Sequence, residues 1–237
     1  DDSPVTRAAE DWLAAGHCHW VWLRNPQRVA RVVPDPCLRV LEGHANGVHG
    51  ALVLADGRIL SWSGDNTLRL WDGSSGAPLA ILGEHTNEVN GALALANGRL
   101  LSWSADNSLH LRDGRSGVTT AILAGHTHWV AGALELADGR LLSWSWDHTL
   151  RLWDGWSGAP LAILAGHTSP IEGALVLADK RLLSWSLDST LRLWDGRDGT
   201  PLAILKGHRN NVLGAMELAD GRILSWSHDR TLRLWDG

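Results

Sequence analysis

Serine, histidine and aspartate occur together at regular intervals along the chain, and these are the residue types of a nucleophilic catalytic triad. The histidines and aspartates each recur every 41 residues, as His44, His85, His126, His167 and His208 and as Asp65, Asp106, Asp147, Asp188 and Asp229. An enzyme needs one such site, whereas this set occurs five times, four times with a tryptophan that would cover it. The repetition favours a structural role in which buried polar groups satisfy one another, and it argues against an enzyme.

Metal binding is the second chemistry that the residue types suggest, because the chain has 12 histidines. Most of them belong to different repeats and would lie far apart. The sharpest cluster is His17-Cys18-His19, but three adjacent side chains are poorly placed to converge on one ion. We therefore expect neither a metal site nor another cofactor.

A repeat of 41 residues, with no insertion in any copy, must position these side chains. Residues 125–165 and 166–206 are identical at 29 of 41 positions. Short apolar runs separated by turn signals predict four strands per repeat, in the second repeat at Pro78–Leu82, Glu88–Leu95, Arg99–Ser104 and Ser108–Arg112. A four-stranded unit cannot bury both faces alone, so the copies must stack on one another, and radial stacking gives a propeller.

Three short motifs in these repeats resemble those of the WD40-repeat family. They are a Gly-His pair, a Ser-Trp-Ser-x-Asp-x-Thr stretch such as Ser61–Thr67, and a closing Leu-Trp-Asp such as Leu70–Asp72. The resemblance implies an all-β protein, a β-propeller of four-stranded antiparallel blades. Five WD40 blades are expected over residues 37–237, with repeats at about 37–77, 78–118, 119–159, 160–200 and 201–237.

The resemblance also implies that a hydrogen-bonded set of buried side chains holds each blade together. Carried over to four of the five blades, the set comprises His44, Asp65, Trp71, His126, Asp147, Trp153, His167, Asp188, Trp194, His208, Asp229 and Trp235. In the first blade either Ser61 or Ser63 supplies the serine. The second repeat departs from the pattern, since Arg112 replaces the tryptophan and Glu84 interrupts the Gly-His pair. We expect this blade to be the least stable, and we expect the loss of Asp106 to cost less than that of Asp147.

Residues 1–36 do not repeat. Their prolines favour two short helices or a linker, and a degenerate sixth blade that includes residues 20–33 is the alternative. Cys37–Leu41 matches Pro78–Leu82, and we therefore predict that it forms the outer strand that completes the last blade and closes the ring. The other options are an extra blade from the first 36 residues and pairing of open edges between chains, which would make a homo-oligomer.

Three positions in each repeat vary between the copies, and in the WD40 family these positions line the top face around the central channel. They are Gly47, His49 and Gly64; Glu88, Asn90 and Ala105; Trp129, Ala131 and Trp146; Pro170, Glu172 and Leu187; and Asn211, Leu213 and His228. Neutral drift at exposed positions explains part of this variation. Exposed tryptophan and leucine, however, are typical of an interface. The sequence thus predicts a non-catalytic scaffold module that binds another protein or peptide or senses a ligand through this face. The alternative is a structural or self-assembling repeat protein of recently duplicated or designed blades.

Composition limits the other classes of partner. A net charge of -5 and a pI near 6.2 give no basic surface for nucleic acid, and no apolar run is long enough to cross a membrane. The two cysteines, Cys18 and Cys37, cannot provide a disulfide framework. We therefore expect a reducing, cytoplasmic setting, with no nucleic acid and no membrane as partner.

Overall fold

The computed structural model describes residues 37–237, and the repeats in this part of the chain consist of antiparallel strands without a helix. Four of the five sheets have four strands, and the last sheet has three. In chain order the strands are β1 (Val48–Val53), β2 (Ile59–Ser63), β3 (Leu68–Trp71), β4 (Pro78–Leu82), β5 (Val89–Ala94), β6 (Leu100–Ser104), β7 (Ser108–Arg112), β8 (Thr119–Ala124), β9 (Val130–Glu135), β10 (Leu141–Ser145), β11 (Thr149–Trp153), β12 (Pro160–Ala165), β13 (Ile171–Val176), β14 (Leu182–Ser186), β15 (Thr190–Trp194), β16 (Pro201–Lys206), β17 (Val212–Glu217), β18 (Ile223–Ser227) and β19 (Leu232–Trp235). The predicted all-β fold with four-stranded antiparallel blades is confirmed.

The first two strands of each blade meet at a tight turn, which in the first blade includes Asp56 and Gly57. In the first blade the Leu54 N–H donates to the Arg58 carbonyl at 2.8 Å, and Gly57 between them has a φ of 84°. Glycine adopts this left-handed conformation without steric cost. The turn sets the register in which Val53 faces Ile59.

A glycine on the innermost strand of each blade lies under the tryptophan of Ser-Trp-Ser. In the first blade Gly50 pairs with Trp62 across the strands, and a Cβ at Gly50 would clash with the indole ring. The same pairing and the same clash recur at Gly91, Gly132, Gly173 and Gly214. These indoles are half-buried in the first four blades and fill the volume above the glycine.

Successive blades pack through two different faces. We call the leucines that a blade presents to the following blade its front face; in the second blade these include Leu109 and Leu111. The rear face is the side that a blade turns to the preceding one, and in the third blade it includes Val130, Leu141 and Trp153. All these side chains are fully buried at the joint. The core therefore consists of a series of joints between blades.

The two ends of the blade stack remain exposed, which corrects the predicted closure by Cys37–Leu41. Residues 37–47 form no strand, and β17, β18 and β19 stay a three-stranded sheet. Val48 at one end and Leu232 at the other are solvent-exposed, although their equivalents in the inner blades are fully buried. The apolar faces of both ends are uncovered, so the first and last blades do not pack against each other. Cys37–Leu41 therefore does not form the fourth strand of the last blade.

The predictions for residues 1–36, two short helices or a degenerate blade, lie outside the described residues. Within residues 37–237, no helix has the length and apolarity needed to span a membrane. Val40–Gly237 form one compact unit.

Candidate interaction surface

A serine, a histidine, an aspartate and a tryptophan form a hydrogen-bonded set inside the third blade. His126 Nδ1 lies 2.8 Å from Asp147 Oδ2, and His126 Nε2 lies 2.8 Å from Ser143 Oγ. The Trp153 indole N–H donates to the same Ser143 oxygen at 2.9 Å. The first serine of Ser-Trp-Ser is therefore the member of the set, whereas Ser145 caps the turn by accepting from the Asp147 N–H.

The equivalent side chains come together in the first, fourth and fifth blades. The histidine-to-aspartate distance is 2.9 Å from His44 to Asp65, and 2.8 Å in the pairs His167–Asp188 and His208–Asp229. The indoles of Trp71, Trp194 and Trp235 donate to Ser61, Ser184 and Ser225. The chain thus holds these residues together by one repeated geometry.

Burial decides what this Ser-His-Asp arrangement can do. Ser143 is fully buried and His126 is nearly so, so a substrate has no access to the hydroxyl group. Burial disfavours the ionised form of Asp147, but hydrogen bonds from His126 and Thr149 outweigh it and hold the pKa of the carboxyl well below 3.8. The ionised Asp147 carboxylate therefore links the strands of the blade through its hydrogen bonds. The Ser143 hydroxyl, the only candidate nucleophile of this set, is not accessible to a substrate.

The second blade differs from the others at three positions that lie close together, where the other blades have a glycine, an arginine and a tryptophan. Elsewhere a glycine such as Gly125 lies against the ends of Arg151 and Trp153, and a Cβ there would clash with the guanidinium. The second blade has Glu84 at the glycine position, with a φ of 100°, and His110 and Arg112 at the other two. The imidazole of His110 is smaller than the arginine side chain of the other blades, and it leaves room for the side chain of Glu84.

The buried guanidinium of Arg112 has partners that the substitutions themselves supply. Arg112 Nη1 lies 3.5 Å from a Glu84 carboxylate oxygen, and Arg112 Nη2 donates to the Gly83 carbonyl at 2.8 Å and to His110 Nδ1 at 3.3 Å. His85 keeps its hydrogen bonds to Asp106, at 2.8 Å, and to Ser102, at 2.9 Å. The second blade lacks the indole hydrogen bond of the other blades, but its histidine keeps both the aspartate and the serine as partners.

His85, Asp106 and His110 are the cluster within residues 37–237 whose ligand atoms could hold a metal ion, since these atoms lie within 4.8 Å of one another. The geometry opposes a metal. The two imidazole rings are stacked, with centroids 3.9 Å apart and planes 25° apart, so their in-plane lone pairs cannot converge on one ion. The Arg112 guanidinium beside them also repels a cation. The cluster is better explained as the internal packing of this blade.

We expect His110 to make the stability of the second blade depend on pH. Burial, together with the charges of His85 and Arg112, lowers the pKa of His110 from 6.5 to about 4, against the opposing effect of Asp106 and Glu84. Between these two values the unfolded chain binds a proton that the folded chain does not, so stability falls as the pH falls from 6.5 towards 4. We expect His110→Gln to flatten this dependence in urea unfolding measured across the same pH range. An unchanged pH dependence would contradict the assignment.

The three variable positions of each repeat lie at one end of the blades, which we call the top face. It is the end at which the innermost strands β1, β5, β9, β13 and β17 begin. The first and third positions of each repeat are joined by a backbone hydrogen bond, as from Trp146 N–H to the Trp129 carbonyl at 3.0 Å. In the first two blades the second position reaches the next blade, since His49 contacts the Val89 carbonyl at 3.0 Å and Asn90 donates to the Val130 carbonyl at 2.9 Å.

The third blade presents an aromatic cluster on the top face. The ring centroids of Trp129 and Trp146 are 5.0 Å apart, and the exposed fractions of the two residues are 43% and 37%. His128 completes the cluster, with its ring stacked 5.9 Å from Trp146 and its Nδ1 accepting the Trp129 N–H at 2.8 Å. His128 is not among the positions predicted from the sequence, although Asn or Ser occupies its position in the other repeats. That difference is the signal that could have identified it.

The remaining predicted positions differ in exposure. Ala105 is buried and Leu187 half-buried, whereas Leu213 is exposed. Burial raises the pKa of Glu172, which the charge of His228 in the next blade partly offsets. Gly47, Glu88, His49 and His228 are exposed, and Gly64, Asn90, Ala131, Pro170 and Asn211 are half-buried. The aromatic cluster of Trp129, Trp146 and His128 is therefore the most apolar exposed part of this set.

Among solved structures, this fold is similar to a β-propeller. The WD40 β-propeller domain of Doa1 is similar, with a TM-score of 0.65 and 24% identity, over 82% of this chain and 65% of that chain. The chain thus spans less than two thirds of the length of that chain. No curated protein matches the sequence.

The family comparison identifies the repeats. A family model described as WD domain, G-beta repeat, matches residues 35–72, 117–154, 158–195 and 199–236, together more than half of the chain. The repeat with Glu84, His110 and Arg112 lies between the matched segments. Propellers of this kind generally serve as non-catalytic scaffolds for interactions between proteins. The chain belongs to the WD40-repeat family.

Proposed function

We propose that this chain is a non-catalytic module that binds another protein or a peptide through its top face, centred on Trp129, Trp146 and His128. The observation that carries the proposal is the pair of exposed indoles of Trp129 and Trp146, whose ring centroids lie 5.0 Å apart. Large aromatic side chains at a surface supply much of the binding energy of protein interfaces. The other repeats carry glycine, glutamate, proline or asparagine at the Trp129 position, and glycine, alanine, leucine or histidine at the Trp146 position, so the blade itself does not require an indole.

The cluster is held ready for a partner by the backbone. The Trp146 N–H donates to the Trp129 carbonyl at 3.0 Å, and the Trp129 N–H donates to His128 at 2.8 Å. Because both tryptophans are anchored next to a buried β-strand, little conformational entropy is lost when a partner binds. The top face can therefore act as a preformed platform.

Selection of a displayed peptide library on the full chain tests the proposal. We expect the selected peptides to bind the Trp129→Ala and Trp146→Ala variants at least about 30-fold more weakly, as for hot-spot residues that contribute roughly 2 kcal/mol or more. The urea midpoint of both variants should stay close to that of the wild type, because the two side chains are exposed.

Trp156→Ala is the matched control, since Trp156 is an exposed tryptophan at the opposite end of the same blade. Peptide binding should survive this change. Peptides that bind equally to wild type and to the top-face variants, or that lose affinity only with Trp156→Ala, would place the binding surface elsewhere.

A further inference from the structure

The two ends of the blade stack expose apolar faces that every inner joint buries. Leu232 on the front face of the last blade is 67% exposed, whereas the equivalent Leu68, Leu109, Leu150 and Leu191 are fully buried. On the rear face of the first blade Val48 is 57% exposed, whereas Val89, Val130, Ile171 and Val212 are fully buried. Each end is thus one uncovered half of a joint.

The inner joints show what covers such a face. At each of them the leucines of one blade pack against a β-branched residue and an alanine of the next blade, for example Leu191 and Leu193 against Val212 and Ala215. The last blade has Leu232 and Leu234 at the leucine positions, and the first blade has Val48 and Ala51 at the others. Because the repeats are nearly identical, the two end faces of this chain are complementary to each other.

The last blade also lacks its fourth strand, so β19 is an edge strand with unpaired backbone groups along it. In the first blade β4 occupies that position, with Leu68 facing Leu82 and Arg69 facing Ile81. The chain runs from β4 directly into the next blade, so the blade that covers a front face also brings the fourth strand. Val40 and Leu41 precede the first blade at the equivalent positions and form no strand.

An arginine-to-carbonyl hydrogen bond across the first three inner joints supports the same complementarity. Arg58 donates to the Gly114 carbonyl of the next blade at 2.6 Å, and Arg140 donates to the Gly196 carbonyl at 2.6 Å. Arg222 is the equivalent residue of the last blade. It is held in the same way by the aspartate two positions before it, with an ion pair of 2.6 Å. Its counterpart on a following blade would be the Gly73 carbonyl.

From these observations we propose that the front face of the last blade binds the rear face of the first blade in a second copy of this chain. The incoming copy covers Leu232 and Leu234 with Val48 and Ala51, and its residues Val40 and Leu41 add the fourth strand along β19. The contact uses the front face of one copy and the rear face of the other. The first copy therefore keeps a free rear face and the second a free front face, and both can bind further copies. Such a contact that does not close extends into a helical filament.

Two single variants and their mixture test this proposal on the full chain. Light scattering of the wild type should show a mass that rises with protein concentration beyond the dimer. Val48→Glu removes the rear face and Leu232→Glu the front face, and each variant alone should be monomeric. An equimolar mixture should give a complex of twice the monomer mass that does not grow, since each variant keeps the face that the other needs.

Both positions are exposed in the single chain, so neither substitution should change its circular dichroism spectrum. A wild type that stays monomeric at all concentrations would overturn the proposal, and so would a mixture of the variants that stays monomeric. Single variants that still associate would overturn it as well, because other surfaces would then join the copies. Trp129→Ala should associate like the wild type, which separates this contact from binding at the top face.

Discussion

Replacing Trp153 by alanine is expected to destabilise the protein by about 3–5 kcal/mol, the usual range for a large aromatic residue removed from a core. Trp153 is fully buried in the joint between the second and third blades, where it packs with Leu109 and Leu111. Its indole N–H also donates to the buried Ser143 oxygen. Removing the ring opens a cavity at this joint and takes a donor from Ser143. The free energy of unfolding in urea measures the loss.

Trp156→Ala is again the control, because Trp156 lies three residues further on and is exposed. Its contact with the Arg99 guanidinium, 4.8 Å from the ring centroid, is on the surface. We expect this change to cost less than about 1 kcal/mol, in the range of an exposed cation–π contact. Comparable losses for the two variants would mean that the joint does not depend on the buried indole.

The blades and their internal hydrogen bonds could be predicted because the information for them is local. Short apolar runs and the turn signals between them predict four strands within 41 residues, and the register then brings His126, Ser143 and Asp147 together. Two candidate serines remained in the sequence analysis. The two serines are two residues apart and therefore share one face of the strand. The structure distinguishes them by their place along it, since Ser143 lies beside His126 and Trp153, whereas Ser145 lies at the turn before Asp147.

Closure of the ring could not be predicted from the same information. Cys37–Leu41 matches an outer strand in residue type, and this match shows which strand it could pair with. The distance between the first and last blades depends instead on the angles at all the joints, each set by packing of many side chains. Small differences at each joint add up along the stack, and no motif encodes their sum.

The sequence predicts that the second blade is the least stable, because Arg112 replaces the tryptophan of the other blades. The structure shows that Glu84, His110 and Arg112 depend on one another: the imidazole makes room for Glu84, and the carboxylate and imidazole then contact the guanidinium. These residues are up to 28 positions apart in the sequence. One repeat compared with another reveals each difference, but only the packing shows that the differences compensate.

Replacing Asp147 by alanine is the second large effect, and we expect a loss of roughly 3 kcal/mol, at the upper end of the range for buried groups left without a partner. Asp147 accepts from His126, from the Thr127 N–H at 3.0 Å, and from both the N–H and the hydroxyl of Thr149, at 2.9 and 2.7 Å. All four donors lose their acceptor at once. Thermal and urea unfolding at neutral pH measure the effect.

The pH dependence and two further variants show whether the carboxylate is responsible. The pKa of Asp147 is lowered in the folded chain, so its contribution is complete above the unfolded value near 3.8 and is lost as the pH falls below it. The difference between wild type and Asp147→Ala should therefore shrink in acid. Asp147→Asn keeps one acceptor oxygen and should lose less stability.

Asp106→Ala should lose about as much stability as Asp147→Ala, because Asp106 also accepts from a histidine, two N–H groups and a hydroxyl. A much smaller loss at Asp106, the result expected from the sequence, would show that the Arg112 blade contributes little to stability.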